Sequence, residues 1–254
     1  MKKIILINKK EGQTPLEAIQ EFKLKNTIYK SIPMTYAGRL DPMAKGLLLV
    51  LAGEKNKDKE KYLLLDKEYK FEILFGFSTD TYDILGKINS KKGNFNAIKT
   101  KKELEEKIKN NIKFFIGNFL QTYPLYSSKT VNGIHLFEYA RKNKKVEAPK
   151  RKVSVESLKL IKIKKINNLK LLNNIEKRVS KVKGDFRQKE ILKIWRKYLD
   201  FKNKKENFFI ASFEIKCGGG TYVRSISNSL GERIGVPALA FSIQRTKIGK
   251  YCNI

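Results

Sequence analysis

Two segments in which apolar and polar residues alternate constrain the fold of this chain more than any other feature. Between Tyr69 and Phe75, large apolar side chains occupy every second position, and Gly76 ends the pattern. The same period recurs from Phe209 to Cys217, just before three consecutive glycines. Alternation of this kind is typical of strands that bury one face. The pattern therefore predicts two half-buried strands.

Helices are predicted between the strands from their capping residues. Thr14 followed by Pro15 marks a helix start after a short apolar strand, and Thr100 opens a capping box for a second helix that Gly117 would stop. Thr221 is expected to cap a third helix, with the preceding glycines offering backbone amides to a phosphate. Strands and helices mix without strict alternation, which predicts an α+β (mixed α/β) fold.

The length and charge of the chain limit its architecture and its partners. Its 254 residues can bury a substantial core, and we expect a single domain over residues 1–254. The formal net charge of +30 favours a nucleic-acid partner, because each neutralised phosphate releases counterions. Lysine dominates among the basic residues, and the chain is also rich in asparagine and isoleucine. An AT-rich genome can produce that composition, so charge alone does not identify the partner.

A basic segment at about residues 156–207 is expected to be an insertion with helical structure. It holds 17 basic and 6 acidic residues, and Ile191, Ile194, Trp195 and Tyr198 fall on one side of a predicted helix. The segment fits an RNA-facing arm, and it also fits an ordinary amphipathic helix that packs Trp195 into the core. The two interpretations are compatible with each other.

Several classes of protein are excluded by what the chain lacks. With one histidine, His135, and two cysteines, Cys217 and Cys252, it cannot assemble a four-ligand zinc site, and a hydrolase triad is equally unexpected. No phosphate-loop or dinucleotide fingerprint is present. No apolar run is long enough for a membrane span or a signal peptide. We therefore expect a cytoplasmic protein without a metal or cofactor.

Asp41 is the candidate catalytic residue. Residues 37–48 read Ala-Gly-Arg-Leu-Asp-Pro-Met-Ala-Lys-Gly-Leu-Leu. A residue before proline is driven to an extended conformation, so Asp41 should project from a bend that begins at Gly38 and is anchored by the apolar run after it. Taken alone, such an aspartate is more often a turn residue whose carboxylate accepts hydrogen bonds from nearby amides. Other segments must decide between the two roles.

Four segments, in order, resemble the tRNA pseudouridine synthase B (TruB) family. They are the Asp41 segment; Lys67-Glu68-Tyr69 with the Thr-Asp-Thr-x-Asp-x-x-Gly turn of residues 79–86; residues 115–129 with the Asn132-Gly133 and Glu138–Arg141 motifs; and residues 220–225 leading to Gln244-Arg245-Thr246. The resemblance implies a pseudouridine synthase fold, with a mostly antiparallel mixed sheet flanked by helices. It also implies that the protein is a monomeric isomerase that converts uridine to pseudouridine in tRNA.

The resemblance also assigns roles to individual residues. Asp41 would act on the sugar, either as nucleophile or by removing a proton, and Arg224 would lie against it. Tyr69 would stack beneath the flipped base and help to remove a proton from the carbon that forms the new bond. Ile243 would close the uracil pocket, and the third segment contributes two further substrate-binding residues, Tyr126 and Lys129.

The chemistry of uridine isomerisation agrees with these roles. A glycosidic C–N bond is broken, the base turns, and it rejoins through carbon, without a redox step, a metal or a phosphate donor. A carboxylate that loses water rises above its usual pKa of about 3.9 and tends to protonate. The permanently charged guanidinium of Arg224 would keep Asp41 ionised.

The expected substrate is a folded RNA from which the target base must be flipped, at a cost of a few kcal/mol. We expect uridine 55 in the TΨC loop of tRNA to be the target. The alternatives are a pseudouridine synthase with another RNA target and a noncatalytic tRNA-binding chaperone. Basic residues expected to contact RNA phosphates are Arg141, Lys144, Lys145, Lys150, Arg151 and Lys152.

The chain departs from the family pattern beside Asp41 and elsewhere. Tyr36 stands where the family has a histidine that stacks within the RNA loop, and it can stack but not protonate. Arg39 replaces a small residue and could contact phosphate or Asp41. Tyr123 replaces the first proline of a Pro-Pro pair, and we expect the C-terminal RNA-binding (PUA-type) domain of the family to be missing. These differences bear on which RNA is bound.

Overall fold

The computed structural model describes residues 2–89, 98–200 and 206–252. Within them, eleven strands and seven α-helices alternate irregularly along the chain. The strands are β1 (Ile4–Lys9), β2 (Met34–Tyr36), β3 (Ala44–Ala52), β4 (Lys67–Phe75), β5 (Gly117–Thr122), β6 (Thr130–Val131), β7 (Ile134–His135), β8 (Lys150–Asn167), β9 (Asn207–Cys217), β10 (Ala238–Ile248) and β11 (Tyr251–Cys252). The helices are α1 (Pro15–Lys25), α2 (Lys59–Leu63), α3 (Lys101–Ile112), α4 (Leu136–Arg141), α5 (Asn168–Val179), α6 (Gln188–Leu199) and α7 (Val223–Ile234).

Nine strands form one sheet in the order β1-β3-β10-β4-β9-β8-β5, with β2 beside β3 and β11 beside β10. Neighbouring strands in the described part of this sheet are antiparallel except β3 and β10, which pair in parallel through Ala44 and Ile243. The strands β6 and β7 form a separate hairpin. The predicted α+β fold with a mostly antiparallel mixed sheet is confirmed.

The two faces of the sheet pack against different helices. On one face, the alternating side chains of β4 and β9 form a core with α3 and α7, which includes Phe71, Phe213 and Ile226. On the other face, Leu74 and Ile210 pack with α5 and α6. The two alternating segments therefore lie side by side at the centre of the sheet. One face of each strand is buried along its length, whereas the other face is covered at the Leu74 and Ile210 end and carries the exposed pair of Lys70 and Glu214.

The predicted caps of α1 and α3 are confirmed, but at α3 the Glu103 carboxylate accepts from the Lys99 amide and does not complete the predicted capping box with Thr100. Thr14 and Glu17 form a reciprocal capping box at the start of α1, and the side chain of Thr100 accepts a hydrogen bond from the Glu103 amide. Gly117 does not stop α3, because that helix ends at Ile112 and a short 3₁₀ turn follows before β5.

The basic segment at 156–207 is not helical throughout, contrary to the sequence prediction. Its first part belongs to β8, which lies near one edge of the sheet between β9 and β5, and the helical part begins at Asn168. Trp195 of α6 is fully buried, so the interpretation in which it packs into the core is correct. Among the described residues, no helix is long and apolar enough to cross a membrane.

Candidate active site

A bend between β2 and β3 carries Asp41 to the surface of a cavity of about 710 Å³. The bend is held to the sheet at both ends, since the Ala37 amide donates to Leu49 O and the Ala44 amide donates to Asp41 O. Gly38 adopts φ 91°, a conformation that suits glycine and rarely any other residue. The side chain of Asp41 is 32% exposed, so one face of its carboxylate is open to the cavity.

Arg224, near the start of α7, binds the carboxylate of Asp41. Its Nε donates to Asp41 Oδ2 at 2.7 Å, although its own side chain is only 3% exposed. Its Nη1 donates to the carbonyl of Thr81, and its Nη2 donates to Tyr126 O at 3.3 Å. Every nitrogen of the guanidinium is therefore engaged, which fixes its plane beside Asp41.

A second carboxylate, Asp83, also lies near Arg224 Nε. Its Oδ2 is 3.8 Å from Arg224 Nε, and its Oδ1 accepts hydrogen bonds from Thr81 Oγ1 and the Leu85 amide. Burial raises the pKa of Asp83 to about 6. Burial alone would lower the pKa of Arg224, but Asp41 and Asp83 together raise it, so the guanidinium stays charged.

Tyr69 and Ile243 form an apolar part of the cavity wall. Both are buried, and they come from the adjacent strands β4 and β10. Burial raises the pKa of the Tyr69 phenol above its ordinary value, so the ring is neutral near pH 7. A flat aromatic side chain and an aliphatic one beside the Asp41 carboxylate suit a planar, uncharged base.

Two buried cations that line the cavity, Arg245 and Lys67, had no role predicted from the sequence. Arg245 donates to Leu47 O and Gly38 O, and this ties β10 to the bend. Lys67 donates to the carbonyl of Leu63, and burial lowers the pKa of this lysine to about 8. A sequence signal existed for Arg245, because it occupies the buried phase of β10, two residues after Ile243.

The structure brings most of the predicted substrate-binding residues to the cavity. Tyr36, Arg39 and Tyr126 line it together with the catalytic candidates. Lys129 is not among the lining residues, and its ammonium lies 5.8 Å from the centre of the Tyr123 ring. Phe186 and Arg187 also line the cavity, although nothing in the local sequence pattern marked them.

The predicted RNA-binding residues divide into two groups. Arg141 and Arg151 reach the cavity. The others are exposed in the loop after α4 and at the start of β8: Lys144, Lys145, Lys150 and Lys152.

Two of the three glycines before α7, Gly219 and Gly220, are packed too closely for a side chain. A Cβ on Gly220 would collide with the guanidinium of Arg151, which donates to Gly219 O at 3.4 Å. Contrary to the sequence prediction, Thr221 does not cap α7, because its hydroxyl donates to Gly218 O and the helix begins at Val223 with Tyr222 in the capping position. The sequence pattern placed this cap one residue too early.

Comparisons with known proteins agree with the geometry. The family model described as TruB family pseudouridylate synthase (N terminal domain) matches residues 26–186. The tRNA pseudouridine synthase B of Ligilactobacillus salivarius is 31% identical over 249 residues, which cover 98% of this chain and 68% of that protein. The protein of the same name from Aquifex aeolicus is 31% identical, covering 96% of this chain and 67% of that protein.

A solved structure, the Cbf5-Nop10-Gar1 complex, contains a chain that superposes with a TM-score of 0.54 at 17% identity. The match covers 98% of this chain but only 50% of that one, so this chain spans half the length of its structural neighbour. At this identity the likeness supports the fold alone. The family match and the curated relatives go further: the chain belongs to the TruB family of pseudouridylate synthases, enzymes that isomerise uridine in RNA.

Proposed function

We propose that this chain converts a uridine of tRNA to pseudouridine, with uridine 55 of the TΨC loop as its target and Asp41 as the residue that acts on the sugar. The observation that carries the proposal is the Asp41–Arg224 pair, in which a buried guanidinium holds a carboxylate that remains 32% exposed to the cavity. Attack on the sugar carbon and removal of a sugar proton both require an ionised carboxylate. Arg224 supplies a positive charge within hydrogen-bond distance of this carboxylate.

The cavity walls suit a flipped uracil. Tyr69 offers a neutral ring for stacking, and Ile243 lies beside it on the next strand. Stacking and backbone contacts would offset the few kcal/mol needed to flip the base. Tyr36 and Arg39 line the same cavity, and in this proposal they would contact the nucleotides that flank the target.

The exposed lysines around the cavity would bind the RNA backbone. Lys150 and Lys152 extend to solvent from the start of β8, whereas Arg151 between them turns toward the cavity. Replacing Lys150 by alanine should lower the slope of log affinity against log salt by about 0.7–0.9, the change expected when one phosphate is no longer neutralised. An unchanged slope would place the RNA elsewhere.

The test of the activity uses purified protein and unmodified tRNA transcript. The parent chain should form pseudouridine, and Asp41→Asn, which preserves the size of the side chain, should form none while retaining RNA affinity. A matched control is Asp58→Asn, which alters a similarly exposed carboxylate that pairs with Lys55 and Lys61 and does not line the cavity. No product from the parent chain would contradict the enzyme and favour a tRNA-binding chaperone.

The target is tested separately by mapping pseudouridine with a chemical stop assay. A signal at uridine 55 is expected. A signal only at another position would support the proposed enzyme activity but would contradict uridine 55 as its target.

A further inference from the structure

A helical hairpin lies between two strands that a short turn could join. The strands β8 and β9 are adjacent and antiparallel, and their last pair is Asn167 with Asn207. The chain leaves the sheet at this point, forms α5, a loop over residues 180–187 and α6, and then returns. Asn168 Nδ2 donates to Leu199 O at 3.0 Å and closes the base of this helical hairpin, residues 168–199.

The helical hairpin is packed firmly against the sheet. Its amphipathic helices bury their apolar faces in the core formed with Phe77 and Leu239. Arg178 of α5 donates to Phe241 O at 2.7 Å and binds Glu11, so polar contacts fix this helix as well. The fully buried members of the two helices are Leu171, Ile175, Val179, Ile191, Trp195 and Leu199.

The helical hairpin contacts one short segment, residues 79–87, at three separate points. Arg187 Nη1 lies 2.7 Å from Asp80 Oδ2 in an ion pair, and Glu190 Oε1 lies 2.6 Å from Lys87 Nζ. Trp195 Nε1 donates to Ile84 O at 3.2 Å. We call residues 79–87 the supporting turn. Its two ends and its middle are all held by the hairpin.

The supporting turn also holds Arg224. The carbonyl of Thr81 accepts from Arg224 Nη1, and the carboxylate of Asp83 lies beside Arg224 Nε. The third support of Arg224 is the carbonyl of Tyr126, and the guanidinium of Arg187 stacks 4.3 Å from the centre of the Tyr126 ring. Arg187 therefore contacts both structures that fix Arg224.

The backbone of the loop is arranged to deliver Arg187. This residue adopts φ 63° and ψ 24°, a left-handed conformation that is uncommon for residues other than glycine. Its amide donates to Asp185 Oδ1, and Gln188 staples the loop by donating to Val182 O and accepting from the Phe186 amide. An unfavourable conformation maintained by several contacts beside a functional site is consistent with a positioning role.

We propose that Arg187 is a positioning residue through which the helical hairpin keeps Arg224 aligned with Asp41. The proposal rests on the proposed function, in which that alignment sets the rate of isomerisation. Arg187 need not touch the reacting atoms, because it acts through Asp80 and the Tyr126 ring. A small displacement of a charged group at a reaction centre lowers the rate of the reaction strongly. Loss of this link should therefore slow the chemical step more than it weakens RNA binding.

The kinetic test measures single-turnover rates and RNA affinity for the parent, Arg187→Ala, Asp80→Asn and the double variant. We expect Arg187→Ala to lower the rate by about 10- to 100-fold, with affinity within about threefold of the parent. Because both residues form one link, the double variant should be no slower than the worse single variant. Arg187→Lys should restore part of the rate, and Arg196→Ala, which removes an exposed pair on the same hairpin, should change neither quantity.

A second measurement is independent of activity. In protein labelled with ¹⁵N-arginine, the Arg224 Nε–H signal is assigned by its loss in Arg224→Lys. Arg187→Ala should shift or broaden that signal, and Arg196→Ala should leave it in place. This NMR measurement can be made even if the parent chain forms no pseudouridine. Absence of pseudouridine would contradict the proposed function and not the positioning role. An unchanged Arg224 signal, or weaker RNA binding at an unchanged rate, would overturn the positioning role.

Discussion

Arg224 and Arg178 are both buried, both lie in helices, and both bind a carboxylate from an early part of the chain. Arg178 binds Glu11 at 2.7 Å, and the side chains are 10% and 14% exposed. Arg224 binds Asp41 at the same distance, but the carboxylate is 32% exposed on its cavity side. The ion pairs are chemically alike, so what separates them is the access of a substrate to the carboxylate.

The surroundings of the two arginines also differ. Arg178 packs against the Phe241 ring and donates to the carbonyl of the same residue, so it ties α5 to the sheet. Arg224 Nε is close to two carboxylates, Asp41 and Asp83. If Asp41 reacts, Arg224 still has an anionic neighbour. The Arg178 pair therefore holds the fold, whereas the Arg224 pair is the one that we propose performs the chemistry.

Arg224→Lys should have the largest effect. A lysine retains the charge but cannot donate to Asp41, Thr81 and Tyr126 at once, so we expect the single-turnover rate to fall by about 10²- to 10³-fold. RNA affinity and the free energy of unfolding should change little by comparison. The matched control is Arg178→Lys, which should leave the rate per folded molecule within about threefold of the parent. Equal losses of rate in the two variants would contradict the proposal that only the Arg224–Asp41 pair serves the reaction.

Glu11→Gln should lower the stability of the protein, because it breaks the Arg178–Glu11 pair. It leaves the Arg178 guanidinium buried without its carboxylate, and breaking such a pair typically costs about 3–5 kcal/mol. Urea unfolding should therefore show a loss of about 3 kcal/mol, with normal pseudouridine formation by the folded fraction. A large drop in rate without a loss of stability would show that this pair also serves the reaction.

Asp83→Asn tests the second carboxylate through pH. Because burial raises the pKa of Asp83 to about 6, the unfolded chain releases this proton first as pH rises from 4 to 6. The contribution of Asp83 to the free energy of unfolding thus falls across that window, by about 2–3 kcal/mol. Urea unfolding at several pH values should show this fall in the parent relative to Asp83→Asn. Parallel pH profiles would contradict the raised pKa.

Arg196→Ala should have the smallest effect. Its pair with Glu176 lies between α5 and α6 with the arginine side chain 58% exposed. Exposed pairs contribute about 0–1 kcal/mol, so stability should fall by less than about 1 kcal/mol and the rate should not change. A larger loss would show that exposure is a poor guide to the strength of these pairs.

Much of the site could be predicted because its residues lie in recognisable local patterns. Asp41 precedes a proline in a glycine-bounded bend, Tyr69 opens an alternating strand, and Arg224 follows a glycine run. Arg187 had no such signal. It reaches the cavity from a helical hairpin, and only the packing of that hairpin on the sheet brings it to Asp80.

The strand β8 was missed for a different physical reason. Its buried residues include Val153, Val155, Leu158 and Ile163, and two bulges change the phase of the alternation along the strand. Each bulge adds a residue that has no partner and so reverses which positions face the core. With lysines between the shifted positions, the segment has no sustained period of two, and its charge suggested an insertion.

The distance in sequence between Asp41 and Arg224 also has a consequence during synthesis. The two partners are 183 residues apart, and the bend that carries Asp41 is tied to β10, which the ribosome makes later still. The nascent chain thus exposes many of its lysines before the reaction centre exists. A chain still being translated can attract RNA through its charge, but it can modify RNA only after β10 has emerged and joined β3.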